Sequence, residues 1–151
     1  MEVQVTILYS QLCVFDPALE APFNDWEEAH SAQGFAWRPR SVAFATSDYP
    51  SAVAIDVTCA DTPPDLGAAS TAIRVPFEAP SSGSVEVGSV MSGVEVPIPP
   101  GSYALYYLAP PADGQPFRLI FVKAEVVEPE VLKEGLYARR QGAYLMTAQP
   151  A

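Results

Sequence analysis

Few residues in this 151-residue chain are of the types that make or break bonds. His30 is the only histidine, and no cysteine or second histidine stands at ligand spacing from it. A zinc site would have to be assembled from His30, the distant Cys13 and Cys59, and carboxylates. A Cys–His or Ser–His nucleophile would need His30 beside one of those cysteines or a serine, and nothing in the spacing points there. The sequence instead places His30 on a helix surface. No phosphate-cradling P-loop, GxGxxG turn or HExxH helix is present.

The acids offer two further chemistries. Asp61 and Asp65 in "DTPPD" are of the type that binds calcium in lipid-binding sandwiches, but such a site draws several acids from two or three loops and the spacing here shows only pairs. Paired carboxylates also serve carbohydrate-active enzymes, yet these acids are spread over loops and outward strand positions. The equipment for catalysis, a metal or a cofactor is missing, so the expectation is a non-catalytic binding protein. The calcium- or lipid-binding module and the carbohydrate-active domain are its rivals.

Eighteen acidic against eight basic residues give a net charge of -10 and a pI near 4.3. Direct nucleic-acid binding is disfavoured, because no basic footprint meets the phosphates. Acidity of this size suits solubility or steering toward a basic partner. No apolar run approaches the ~20 residues of a membrane span. The opening "MEVQVTILYS" has an acid where a secretion signal needs positive charge, so a soluble cytoplasmic protein is expected. With that compartment, Cys13 and Cys59 are expected as reduced core thiols.

The elements that must position these residues are mostly strands. Val3, Val5, Ile7 and Tyr9 share one face of the first; Val53, Ile55, Val57 and Cys59 share one face of another. "AIRVPFE" turns Ile73, Val75 and Phe77 inward. In "GSVEVGSVMSGVEVPIPPGSY", Val85 and Val87 point inward, the phase breaks near Gly88, and Val94, Val96 and Ile98 resume it. Pro97 belongs on a sheet edge, since proline cannot donate to the ladder. "SYALYYLA" and "FRLIFVKAEV" are apolar on both faces and read as central strands. One short helix is expected near residues 24–33, capped by Asn24 with Glu27 reciprocating and stopped at Gly34. A second short helical turn is expected near 129–134, and a last strand near 143–146 or a loose tail. The fold expected is one mostly β domain, 1–151, an antiparallel β-sandwich.

Taken in order, "ILYSQLCVF", "DWEEAHSAQGFAW", "SVAFAT" and "AIRVPFEAPSSGSVEVGSVMSGVEVPIPPGSYAL" resemble the competence protein J (ComJ) family. Val75-Pro76-Phe77, Ser89-Val90-Met91-Ser92 and Pro99-Pro100-Gly101-Ser102-Tyr103 are the most distinctive pieces. The likeness runs from about residue 5 to 126; the chain after about 127 lies outside it. The resemblance implies an acidic protein that binds and inhibits a cognate bacterial deoxyribonuclease, or serves as the immunity partner of a nuclease toxin. Such a nuclease presents a basic, metal-bearing groove, and an inhibitor of charge -10 can set carboxylates where phosphates would lie. Candidate contact residues are the acidic helix start, Asp25, Trp26, Glu27 and Glu28, and the loops carrying Asp48, Tyr49, Asp61 and Asp65. Trp26 is equally the residue to pack the helix on the sheet.

Overall fold

The computed structural model describes all 151 residues. Eleven strands and one helix follow in the order β1 (Glu2–Val5), β2 (Gln11–Phe15), α1 (Glu28–Gln33), β3 (Phe35–Arg38), β4 (Ser41–Ala45), β5 (Val53–Ala60), β6 (Thr71–Ala79), β7 (Ser84–Ser89), β8 (Ser92–Pro97), β9 (Gly101–Ala109), β10 (Phe117–Lys123) and β11 (Glu130–Lys133). They form a six-stranded sheet, β1-β5-β10-β9-β6-β11, and a five-stranded sheet, β3-β4-β2-β7-β8. The inner faces of the two sheets meet in one core, to which the first sheet gives Ile55, Val75, Leu105 and Leu119 and the second Leu12, Val14, Val42 and Val87. Phe44 stacks flat on Tyr107 between the sheets, centroids 4.4 Å apart. Burying apolar area on this scale is the main driving force of the fold.

Period two decides most of this. Ile73, Val75 and Phe77 are buried while Glu78 is exposed. The strands apolar on both faces, β9 and β10, are central, because segments 61–70 and 124–132 cover their outward residues. Pro97 ends β8, an edge strand, as expected. The Pro-Pro-Gly-Ser-Tyr piece forms the turn into β9, with Gly101 at φ 140° and the Tyr103 hydroxyl donating to Pro99 O at 2.6 Å.

The mostly antiparallel sandwich is as expected, with one pair that sequence did not foretell: β5 and β10 run parallel, with Phe117 opposite Ile55. The reason is the 61–70 crossover, which carries the chain over the outer face, so that β6 starts at the end where β5 started. Several expectations are corrected. Residues 129–134 are not a helical turn. Glu-Val-Leu-Lys has fair helix propensity, but pairing with β6 supplies ladder hydrogen bonds and buries Val131 opposite Ile73, so β11 forms instead. Residues 143–146 form no strand, yet the tail is not loose; it closes the side of the sandwich between β11 and β3.

The helix starts later than expected. Asn24 is not its cap, because its side chain serves the sheet: Nδ2 donates to Ala36 O at 3.0 Å and Ser41 O at 3.2 Å, while Oδ1 accepts from Arg38 Nε at 2.6 Å. Glu27 is the cap residue, and its backbone N–H donates to His30 Nδ1 at 2.9 Å. His30 is therefore not on the surface but fully buried, with Nε2 2.9 Å from Thr147 O. Since Nδ1 accepts, the neutral ring carries its proton on Nε2 and donates it to Thr147. Gly34 ends the helix as expected, at φ 88° with its N–H on His30 O. No helix is long and apolar enough to cross a membrane.

Both cysteines are free thiols, but only Cys13 is buried; Cys59, near the end of β5, is exposed. Tyr9 also leaves the face assigned to it. The chain turns at Tyr9–Ser10, both at positive φ, and Tyr9 is 71% exposed.

Candidate functional site

Strand polarity gathers five connections at one end of the sandwich: the β1–β2 turn, the β4–β5 loop, the β7–β8 turn, the β9–β10 loop and the segment after β11. This end carries most of the exposed large apolar side chains, namely Tyr9, Met91, Leu136 and Tyr137. Clustered apolar exposure beside polar residues marks protein-interaction surfaces.

Side chains and backbone hold the end rigid. Leu8 and Gln11 bridge across Tyr9–Ser10, a two-residue turn with both central residues left-handed. Asn-Gly usually fills such a turn, and a tyrosine there costs about 1–2 kcal/mol. Neighbouring loops hold the strained pair. The Ser89 hydroxyl accepts from Leu8 N–H at 2.9 Å and donates toward Leu8 O and Gln11 O, both at 2.8 Å. Asp48 Oδ1 accepts from Ser10 N–H at 2.7 Å. Tyr9 is thereby fixed pointing outward.

Two adjoining grooves open here. One, of about 300 Å³, is lined by Tyr9, Gln11, Trp26, Thr46 and Tyr137. The other, of about 240 Å³, is lined by Thr46, Tyr49, Asp113, Phe117, Leu136 and Tyr137. No lysine or arginine lines either. Burial first, then the Asp113 carboxylate and the Tyr137 phenol, pushes the Tyr49 hydroxyl above its ordinary value, so it remains a neutral donor.

The predicted contact residues separate in space. Trp26 packs half-buried on Phe15, Cys13 and Ala43 of the outer face of the five-stranded sheet, with Nε1 3.4 Å from Gln11 Oε1, and it also walls the first groove. Asp25, Glu27 and Glu28 stand exposed at the helix start beside it. Asp48 and Tyr49 belong to the β4–β5 loop at the same end. Asp61 and Asp65 are not with them: they lie on the crossover over the other sheet, where Asp65 Oδ1 braces its own turn through Gly67 N–H. Sequence reading missed Tyr9, Met91, Asp113, Leu136 and Tyr137. For Tyr9 the one available signal was a two-residue turn hidden inside an alternating run. No three His, Cys, Asp or Glu side chains converge as metal ligands.

The charge around this end is largely uncompensated. Of the eighteen acids only Asp16, Asp56 and Glu130 form ion pairs. Several of the basic residues are held internally: Arg38 by Asn24 Oδ1 and the Ala21 and Phe23 carbonyls, Arg40 by Asp16, Arg74 by Glu130, and Arg140 by the carbonyls of Val131 and Leu132. What the end offers chemically is a stiff apolar and aromatic rim in a negative field.

Known proteins agree with this fold. The crystal structure of ComJ from Bacillus subtilis, described as the inhibitor of the DNA degrading activity of NucA, matches with a TM-score of 0.70 at 19% identity, covering 82% of this chain and 96% of that one. No curated protein sequence matches. The sequence profile of the Competence protein J (ComJ) family matches residues 4–125, most of the chain; this protein belongs to that family.

Proposed function

We propose that this protein is a non-catalytic inhibitor of a bacterial deoxyribonuclease, acting in the cytoplasm as one domain without a cofactor. Family membership over residues 4–125 carries the reading, since ComJ from Bacillus subtilis is described as the inhibitor of the DNA degrading activity of NucA. The geometry supplies a physical means. A nuclease that grips DNA presents a basic groove, and a surface of net charge -10 competes for it. Long-range attraction of this kind raises association rates toward about 10⁸–10⁹ M⁻¹s⁻¹ at low salt.

Charge alone gives weak, salt-sensitive association. Specific inhibition also needs desolvated anchors within an interface on the order of 1,600 Å². Tyr9, Trp26 and Tyr49 at the loop end are such anchors, with Asp25, Glu27, Glu28 and Asp48 beside them. Asp61 and Asp65 belong to the general negative field and lie outside the contact. The protein is expected to block its target without touching DNA.

The test is a plasmid-cleavage assay with this protein and a purified deoxyribonuclease from the same organism. Cleavage should stop at about one equivalent. Full cleavage at a large excess of this protein would refute the reading for that pair.

A further inference from the structure

The family profile ends at residue 125, and the Bacillus structure is matched over 96% of its own length but 82% of this chain. This protein therefore carries length for which that relative has no counterpart. The segment beyond 125 is nevertheless built into the fold. β11 extends the larger sheet and buries Val131. Tyr144 packs on Phe35 with centroids 5.8 Å apart, and its hydroxyl accepts from Val131 N–H at 3.0 Å. The Gln33 side chain bonds Leu145 in both directions, to its carbonyl at 3.0 Å and from its amide at 2.9 Å. Asp25 N–H reaches Gln149 O at 2.8 Å, and Asn24 and Pro150 form a bridge.

A segment anchored at so many points has places to bury its apolar side chains, yet three stay outside: Val126 at its very start, and Leu136 and Tyr137 well inside it. Leu136 is 80% and Tyr137 40% exposed. They occupy a two-residue turn closed by the Gly135–Ala138 bridge, whose Gly135 N–H meets Ala138 O at 3.1 Å. The Tyr137 hydroxyl lies 2.7 Å from Ser47 Oγ, which tips the ring over the β4–β5 loop. Tyr137 thus walls both grooves, and Leu136 walls the second beside Asp113. A rigid aromatic–aliphatic pair costs little entropy to immobilise again on binding.

Resting on the inhibitor reading above, we propose that residues 126–151 form a specificity element which adds Leu136 and Tyr137 to the docking surface as anchors for this protein's own nuclease. The occupant is a basic nuclease surface. No cationic side chain lines either groove; Asp113 lines the second, Asp48 holds Ser10 of the first, and the helix-start acids flank Trp26 in its wall. The family core provides the negative field that any such nuclease meets, and the added turn distinguishes one nuclease from another. Specificity carried by a few packed anchors, with charge governing encounter, is how such interfaces divide the work.

The experiment measures inhibition of a deoxyribonuclease from the same organism, taken as the cognate, with NucA from Bacillus subtilis as the non-cognate control. The double variant Leu136→Ala with Tyr137→Ala should keep the wild-type melting temperature. Its inhibition of the cognate nuclease should weaken at least about thirtyfold with an unchanged salt dependence, while its weaker action on NucA stays the same. As a second measurement, a photo-crosslinking benzoylphenylalanine placed at position 136 should attach to the cognate nuclease in the native complex. If the wild type inhibits and the double variant inhibits within about threefold of it, or position 136 fails to crosslink in a complex that forms, the specificity element is refuted and the inhibitor reading stands. If the wild type itself does not inhibit, both fall.

Discussion

The backbone amide of Ser10 donates to the carboxylate of Asp48 across 2.7 Å, tying the strained β1–β2 turn to the β4–β5 loop. This bond gives Asp48 a structural duty in addition to any contact with a partner. Asp48→Ala should cost about 1 kcal/mol, which lowers the melting temperature by about 2–4 °C. Asp48→Asn keeps a carbonyl acceptor and should recover most of that loss while still removing the charge. Amide exchange at Ser10 checks the cause: it should speed up in the alanine variant, and unchanged protection would contradict the assignment.

Gly34 is where the helix end meets the added segment. Its φ of 88° is left-handed, and a Cβ there would come within 2.6 Å of the Ala138 Cβ. Strain of about 1–2 kcal/mol for a non-glycine residue adds to about 1–3 kcal/mol of overpacking. Gly34→Ala should therefore destabilise by at least about 2 kcal/mol in denaturant titration. A loss below about 1 kcal/mol would show that the 135–138 turn gives way freely.

The exposed acids at the helix start act on encounter rather than on residence. Asp25→Asn with Glu28→Gln should slow association with the cognate nuclease about tenfold at low salt, with little change in dissociation rate. The difference should fade above about 0.5 M salt, where the Debye length falls to a few ångströms. Stopped-flow kinetics at two ionic strengths decides this, and an equal effect at both would refute a steering role.

Burial pushes the Cys13 thiol up from 9.0 to about 12, and it pushes the Tyr107 hydroxyl up as well. Each group holds its proton more tightly folded than unfolded. The stability this represents is complete below the unfolded thiol value and is lost as pH rises through about 12, so alkaline unfolding should set in above about pH 9. At neutral pH, iodoacetamide should modify exposed Cys59 and spare Cys13 until the protein unfolds. Labelling of both at equal rates in the folded protein would contradict the burial of Cys13.

Glu86 and Glu95 face each other across β7 and β8 without a cation between them. Desolvation, then the Glu95 charge, holds the Glu86 carboxyl above its ordinary value. Its stabilising contribution is present when protonated and is lost as pH rises through the carboxylate range. Glu86→Gln should stabilise the protein at neutral pH by about 0.2–1 kcal/mol and give no gain in acid. Melting curves at the two pH values test this.

Much of the architecture was readable from the residues themselves, because burial on a pleated sheet imposes a period of two that no other element shares. Ile73, Val75 and Phe77 announce their inner face, the doubly apolar β9 and β10 announce their central place, and Gly34 marks a helix end because only glycine takes that φ cheaply. The ordered motifs likewise pointed to the family, whose profile matches residues 4–125 and so spans all of them.

What tertiary contact decided was every choice between two locally acceptable states. Glu130–Lys133 can form a helical turn or a strand, and the open edge of β6 makes it a strand. Asn24 can cap a helix or bond a sheet, and the carbonyls of Ala36 and Ser41 claim it. His30 can face water or fill the space under Thr147, and the tail buries it. The docking end belongs to the same class. Tyr9, Asp48, Asp113 and Tyr137 come from four separate stretches of chain, and only strand polarity and the β5–β6 crossover bring them to one end of the molecule.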